Sequence, residues 1–306
     1  MISEVVMLTL KELTGEENVL IGEPMSAHTT FRIGGPAEAF IRIESAEALS
    51  KVLQYLQKIE IPYLVLGNGS NLLVDDEGYH GVVLEIADKM NEVRVEGSCL
   101  VCQAGALMSK VARVAYENSL TGLEFASGIP GTIGGGCVMN AGAYGGELKQ
   151  VVESVTVMDK FGEIITLDNE TMEFGYRDSV IKHYPYIVVE VVIRLTIGDK
   201  EAIKAQMDDL AGKRREKQPL EYPSAGSTFK RPEGHFAGAL IMNAGLGGYS
   251  VGDAQVSEKH CGFVINKGQA TAADVKELIA HVQETVKEQT GVMLEPEVII
   301  VNSKPI

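Results

Sequence analysis

The chain has 306 residues, of which 45% are hydrophobic and 23% charged, the usage of a soluble globular protein with room for two or three subdomains, each burying a core. A net charge of −15, from 27 Lys+Arg against 42 Asp+Glu, excludes a broad nucleic-acid surface; a small phosphorylated ligand stays open, because main-chain N–H groups hold phosphate without net positive charge. Four cysteines exclude a disulfide scaffold, and no signal-peptide pattern or long uninterrupted apolar run is present, so a cytoplasmic protein without a membrane span or metal site is expected.

A short amphipathic helix opens the chain, "AEAFIRI" reads as a strand, and Ser45 stands where an N-cap would before "AEALSKVLQYLQKI". The apolar strand "PYLVLG" then delivers the loop Gly67, Asn68, Gly69, Ser70 and Asn71 at its carboxyl end, where α/β units commonly bind ligands. Glycine and asparagine tolerate positive φ, so successive N–H groups can converge on a diphosphate, with Ser70 and Asn71 adding side-chain donors. A plain turn accounts for the same five residues equally well.

Cys99 and Cys102 lie in "RVEGSCLVCQAG", which reads as a strand; residues three apart face opposite sides, which favours structural cysteines over a redox pair. After the helix "LMSKVARVAYENS" comes "ASGIPGTIGGGCVMNAGAYGG", with few side chains bulky enough to fill a core. Pro130 and Gly131 set a turn before Thr132, while Gly128, Gly131, Gly134, Gly135 and Gly142 would let a planar cofactor lie against main chain and Asn140 reach its heteroatoms. Neither glycine loop has the G-x-G-x-x-G spacing of a nicotinamide-binding Rossmann fold.

"SVTVMDKFGEIITL" predicts a hairpin turning at "DKFGE". From Lys200 a long polar-faced helix runs to just before Pro219. Then come the hydroxyl pair Ser227 and Thr228 in "YPSAGSTFKRPEG", a helix at "HFAGALIMNAG", two short strands around "AQVSEKHCGFVIN", a helix opened by Thr271 and a final strand "MLEPEVIIV".

The ordered set "TTFRIGGPAEAF", "LVLGNGSNLLV", "GIPGTIGG", "NAGAYGGE", "GYRDS", "AGSTFKRP" and "LEPEVIIV" resembles the bacterial UDP-N-acetylenolpyruvoylglucosamine reductases of peptidoglycan synthesis, over nearly the whole chain. The resemblance implies an α+β fold of three subdomains. Residues 1–82 and 83–199 would form an FAD-binding unit of the vanillyl-alcohol-oxidase (PCMH) type, and 200–306 a C-terminal substrate-binding subdomain. It also implies non-covalent FAD, NADPH as reductant and UDP-N-acetylglucosamine enolpyruvate as substrate. Gly67 to Asn71 would cradle the FAD pyrophosphate, and Gly128, Ile129, Pro130, Gly131, Thr132, Gly134, Gly135, Asn140 and Gly142 would line the flavin. Histidine, the usual covalent tether in related flavoproteins, is missing from both loops.

Reduction of an enolpyruvyl ether places hydride on the terminal vinyl carbon and builds negative charge on the adjacent carbon and its carboxylate, so cations and a proton donor are needed. By the resemblance, Arg177 contacts that carboxylate with Tyr176 beside it, Ser227 delivers the proton, and Glu297 polarises the carboxylate as a protonated carboxyl. Glu295 is a lesser candidate. A surface ion pair with Asp178, a turn serine and an edge-of-strand glutamate are the plain alternatives. Arg214 and Lys217 correspond to basic residues near the nucleotide-sugar phosphates, against the plain alternative of a solvated helix end, and Asn266 to a substrate contact. Thr228 has no comparable chemical case. Arg231 stands where some relatives carry asparagine, and the tyrosine-bearing insertion of one subclass is missing, which places the chain with the shorter subclass. Two competitors remain: another FAD oxidoreductase, such as a sugar or hydroxy-acid oxidase, and a non-catalytic nucleotide-sugar binding protein.

Overall fold

Helix α1 (Glu4–Thr14) opens the chain, and α2 (Ala46–Lys58) follows Ser45, whose hydroxyl accepts a hydrogen bond from the Ala48 N–H at 3.1 Å. A computed structural model describes residues 2–303 and separates the chain into two units. Unit 1 holds Met1–Ile21, Ala39–Asn68 and Gly81–Lys213; unit 2 holds Gly22–Glu38, Gly69–His80 and Arg214–Ile306.

In unit 1, α2 turns Leu49, Val52, Leu53 and Leu56, at i, i+3, i+4 and i+7, into a core shared with Ala39, Ile41, Val82 and Leu84. Each such side chain contributes roughly 1.5–3 kcal/mol on burial. The strands of that region form a sheet in the order Val19–Pro24, Pro36–Arg42, Tyr79–Glu85, Tyr63–Leu66, the last two parallel. A second, antiparallel sheet runs in the order Ile164–Asp168, Val152–Met158, Ile187–Arg194, Cys99–Gln103, Val93–Glu96. The predicted hairpin is its outer pair. Its turn closes because the Asp159 carboxylate accepts from the Phe161 and Glu163 N–H groups at 2.8 and 2.9 Å.

Helix α3 (Met108–Glu117) was expected; α4 (Ile133–Val138), inside the glycine segment, was not. It forms despite three glycines because its first donors are already satisfied. The Ile133 and Gly134 N–H groups donate to Ala106 O and Ala104 O at 2.7 and 2.9 Å, and the Thr132 hydroxyl accepts from Gly135 N at 3.3 Å. Cys102 is buried on its strand while Cys99 is half-exposed, and the described cysteines are all free. Burial pushes the Cys102 thiol up to about 12, too high for a thiolate at neutral pH.

Helix α5 (Lys200–Lys217) carries the chain from unit 1 into unit 2 and stops before Pro219 as the sequence predicts. Unit 2 has an antiparallel sheet in the order Ser224–Ser227, Phe263–Asn266, Ala254–Val256, Ser250–Val251. Helices α6 (Ala237–Asn243) and α7 (Ala272–Thr290) bury Ile241, Val275, Leu278 and Val282 with Phe31 and Leu73. Thr271 and Asp274 form a reciprocal capping box at the start of α7, and the Asp76 carboxylate accepts from the Ala272 and Ala273 N–H groups at 2.7 and 3.0 Å.

The final strand is shorter than "MLEPEVIIV" suggested: only Ile299–Val301 is strand, paired in parallel with Leu72–Val74. Pro296 has no N–H for a ladder, and the Glu297 N–H donates sideways to Thr228 O at 2.8 Å.

Candidate active-site residues

Gly67 and Asn68 close unit 1's part of the first glycine loop; Gly69, Ser70 and Asn71 begin unit 2's. A side chain at Gly67 would collide with the Thr132 hydroxyl, and one at Gly69, which has φ +56°, with His28 O. The main-chain N–H groups of Asn68, Gly69, Ser70 and Asn71 donate to no described residue, which is the donor set a diphosphate requires. The residues present therefore fit the FAD pyrophosphate. The asparagine side chains do something else: Asn68 Nδ2 donates to Pro130 O, and Asn71 Nδ2 donates to Glu297 O at 3.1 Å.

The second glycine segment divides into two parts. Gly128, Pro130 and Gly135 are exposed and Ile129 and Gly131 half-buried, a surface of bare main chain suited to a flat ligand. Gly134, by contrast, backs onto Ala104, where an added Cβ would lie 2.8 Å from the alanine methyl, and Gly142 lies against Gly146 O and Glu147. These two glycines are needed for the protein to pack against itself. Thr132 is buried as the cap of α4.

Asn140 is 1% exposed with φ +41°, and its side-chain amide engages protein groups. Nδ2 donates to Gly175 O at 2.9 Å and Glu147 Oε2 at 3.2 Å, while Oδ1 accepts from Lys149 N at 2.9 Å. Gly175 begins the tight turn Gly175, Tyr176, Arg177, Asp178, closed by Gly175 N to Asp178 O at 3.0 Å. At its tip Tyr176 is exposed, and the half-buried Arg177, with φ +56°, stacks its guanidinium 5.3 Å from the Tyr176 ring centroid. Asp178 is engaged by His183 at 2.9 Å and Lys182 at 3.6 Å, and the His183 hydrogen bond holds its carboxyl below the usual range.

Within unit 2, Ser227 and Glu297 are brought onto adjacent main-chain segments. The strand Ser224–Ser227 pairs with Phe263–Asn266 at both ends but slips between them, with Gly226 at φ +75°, and this bulge sets the direction of Ser227. Ser227 is half-buried and its hydroxyl donates to no described residue. Thr228 is 4% exposed and structural: its hydroxyl accepts from Val264 N at 2.9 Å and its carbonyl from Glu297 N at 2.8 Å. Glu297 is half-buried, whereas Glu295 is exposed and paired with Lys230 at 3.2 Å, the position of a surface ion pair.

Arg214 is 7% exposed, so it is not the solvated helix-end cation of the plain alternative; Lys217 is exposed. Asn266 is 4% exposed and holds loops together, donating to Phe31 O at 3.3 Å and accepting from Gly268 N and Ala270 N at 2.9 and 3.1 Å. Among the described residues no cluster could hold a metal ion, and no helix is long and apolar enough to cross a membrane.

Residues 37–168 match the FAD binding domain family, and residues 218–301 match the C-terminal domain family of UDP-N-acetylenolpyruvoylglucosamine reductase. A UDP-N-acetylenolpyruvoylglucosamine reductase of Caldanaerobacter subterraneus subsp. tengcongensis is 50% identical over 302 residues, covering 99% of this chain and 100% of the relative. One from Clostridium perfringens is 51% identical over 292 residues, 95% of this chain and 96% of its own. The chain belongs to the UDP-N-acetylenolpyruvoylglucosamine reductase family. Among solved structures, the family's enzyme from Thermus caldophilus matches with a TM-score of 0.79 at 37% identity, over 92% of this chain and 98% of that one. An alkyldihydroxyacetonephosphate synthase matches at TM-score 0.50 and 14% identity over 64% of this chain and 41% of its own, a likeness of fold alone.

Family membership and the two matching domain families bear out the α+β fold, with an FAD-binding part and a separate C-terminal domain, and FAD as cofactor. What the sequence did not reveal is the support around these residues. Lys149, Ser179 and Asp76 each bond main chain far away in sequence, and each looks locally like an ordinary surface polar residue.

Proposed function

We propose that the chain is the NADPH-dependent, FAD-mediated reductase that converts UDP-N-acetylglucosamine enolpyruvate to UDP-N-acetylmuramate for peptidoglycan precursor synthesis, acting in the cytoplasm. The observation that carries this is identity of about half over the full length of reductases bearing that name. Bound FAD supplies the hydride, taken from NADPH. The net change is addition of that hydride to the terminal vinyl carbon and of one proton to the adjacent carbon, with NADPH leaving as NADP⁺.

In this reading Arg177 pairs with the substrate carboxylate, where a guanidinium meets developing charge in a bidentate arrangement. Ser227 gives its hydroxyl proton to the carbon; a hydroxyl is a weak acid, but it is positioned and its acceptor is strongly basic. Support comes from the contrast with Thr228, whose hydroxyl is already engaged. Glu297 assists as a protonated carboxyl at the carboxylate. Tyr176, Arg214, Lys217 and Asn266 belong to the substrate side, Asn266 by holding its loop. The N–H groups of residues 67–71 take the FAD pyrophosphate, and Gly128 to Gly131 with Gly135 take the flavin ring. Functionally the chain divides at 82/83 and 199/200 into two FAD-binding subdomains and a substrate-binding domain.

The test is stopped-flow spectroscopy of the flavin. Oxidised protein should bleach with NADPH and recover colour on mixing with UDP-N-acetylglucosamine enolpyruvate. Ser227→Ala should slow only the second phase, by about 10²–10⁴-fold. NADPH-reduced protein that reoxidises rapidly with oxygen but ignores the sugar nucleotide would point instead to an oxidase.

A further inference from the structure

We propose that Asn140 is a positioning residue for Arg177: it fixes the turn that presents the guanidinium and takes no part in holding the cofactor. The inference rests on the assignment of Arg177 to the substrate carboxylate.

Three hydrogen bonds join the turn and the residues flanking it to the last residue of α4 and the segment that follows, all within unit 1. Asn140 Nδ2 donates to Gly175 O at 2.9 Å, Lys149 Nζ donates to Phe174 O at 3.1 Å, and Ser179 Oγ donates to Val138 O at 2.9 Å. They bracket Tyr176 and Arg177 on both sides. Asn140 is the hub, because its Oδ1 accepts from Lys149 N at 2.9 Å and its second amide hydrogen reaches Glu147 Oε2 at 3.2 Å. Its side chain is thus satisfied by protein at 1% exposure, with both Nδ2 hydrogens donated and Oδ1 accepting.

The turn needs this support. Arg177 has φ +56° and Glu173, just before the turn, has φ +47°, conformations that L-residues adopt at a cost and keep only when their surroundings hold them. A carboxylate clamp tolerates little displacement, since a shift of about 1 Å in a catalytic contact costs on the order of a hundredfold in rate. The hydrogen bonds of Asn140 thus bear on the function of Arg177 although Asn140 reaches no reacting atom.

Asn140→Gly isolates the side chain, because glycine keeps φ +41° without strain while all three Asn140 bonds are lost. The holoprotein is made as Asn140→Gly, Arg177→Ala and the double variant. FAD content, the rate of flavin bleaching by NADPH, the rate of recovery with UDP-N-acetylglucosamine enolpyruvate, and the Kd of that sugar nucleotide for oxidised protein by calorimetry are measured. Asn140→Gly should leave FAD content and bleaching within about twofold, slow recovery by about a hundredfold and weaken sugar-nucleotide binding. The double variant should be no worse than Arg177→Ala alone, because both changes remove one function.

Losses that multiply in the double variant, or loss of FAD from Asn140→Gly, would overturn the proposal and leave the Arg177 assignment standing. Recovery unaffected by Arg177→Ala would overturn both. If Asn140→Gly does not yield soluble protein, Lys149→Met, which removes only the bond to Phe174 O, takes its place with the same signature at about a tenth of the size; an unchanged recovery rate then overturns the proposal.

Discussion

The Arg177 turn of unit 1 and the Ser227 and Glu297 segments of unit 2 are held by different means. Around Arg177, besides the main-chain bonds that close the turn, side chains bond main chain: Asn140, Lys149 and Ser179 each supply a donor to a carbonyl. Around Ser227 and Glu297 most bonds join main chain to main chain: Ser227 sits in register with Phe263, Glu297 N donates to Thr228 O, and Lys230 N donates to Glu295 O at 2.9 Å. Asn71, on the carbonyl of Glu297, and the Thr228 hydroxyl, on Val264 N, are side-chain contributions there. A site fixed by side chains can be detuned by substitutions that leave the backbone alone. One fixed by backbone pairing should instead be sensitive to backbone conformation and tolerant of most side-chain changes.

The largest effect expected in unit 2 is therefore at Gly226. Nothing lies within 4 Å of where its Cβ would stand, so Gly226→Ala tests conformation alone. At φ +75° alanine costs about 1–2 kcal/mol, and relaxing that strain rotates the bulge that aims Ser227. Recovery of flavin colour by the sugar nucleotide should fall by about a hundredfold while bleaching by NADPH is kept. Equal slowing of both phases would show that the bulge does not serve Ser227 in particular.

Thr228 gives the complementary result. Thr228→Val keeps the shape and removes the acceptor of the buried Val264 N–H, which should lower stability by about 1–3 kcal/mol in denaturant unfolding. Its carbonyl still receives Glu297 N, so recovery kinetics should stay within about twofold. Thr228→Ser retains the acceptor and should restore most of the stability. A collapse of recovery in the valine variant alone would move Thr228 into the chemistry and blur the distinction from Ser227.

These neighbours also mark how far the sequence was legible. Ser45, Thr271 and the "DKFGE" turn were readable because a cap or an Asp-centred turn is set by residues within three or four positions. The last strand was overextended because its outcome depends on Thr228, far away in sequence. Helix α4 was missed because glycine is a poor helix former; long-range acceptors at Ala104 and Ala106 override that propensity. Asn71, Asn140 and Asn266 stand out in the sequence as donors, but the sequence does not display the carbonyls their side chains meet, which in all three cases belong to the protein.

The smallest effect concerns His260, which packs edge-on against Phe263, the residue in register with Ser227, at 5.0 Å between ring centroids. Its Nδ1 accepts from Gly262 N at 3.1 Å, which only an unprotonated Nδ1 can do, and burial lowers its pKa from the ordinary 6.5. A base with a lowered pKa in the folded state takes up its proton more readily when unfolded. Stability from His260 is therefore full above pH 6.5 and declines as pH falls from there through the lower folded value. Melting temperature should drop between pH 7 and pH 5 partly for this reason, and His260→Asn, whose amide oxygen can replace Nδ1 as acceptor but does not titrate, should flatten the slope. Because the residue supports backbone register rather than a side-chain clamp, the same variant should shift the pH dependence of stability without altering that of recovery at pH 7 and above. An unchanged melting slope would show that the ring titrates alike in the folded and unfolded chain.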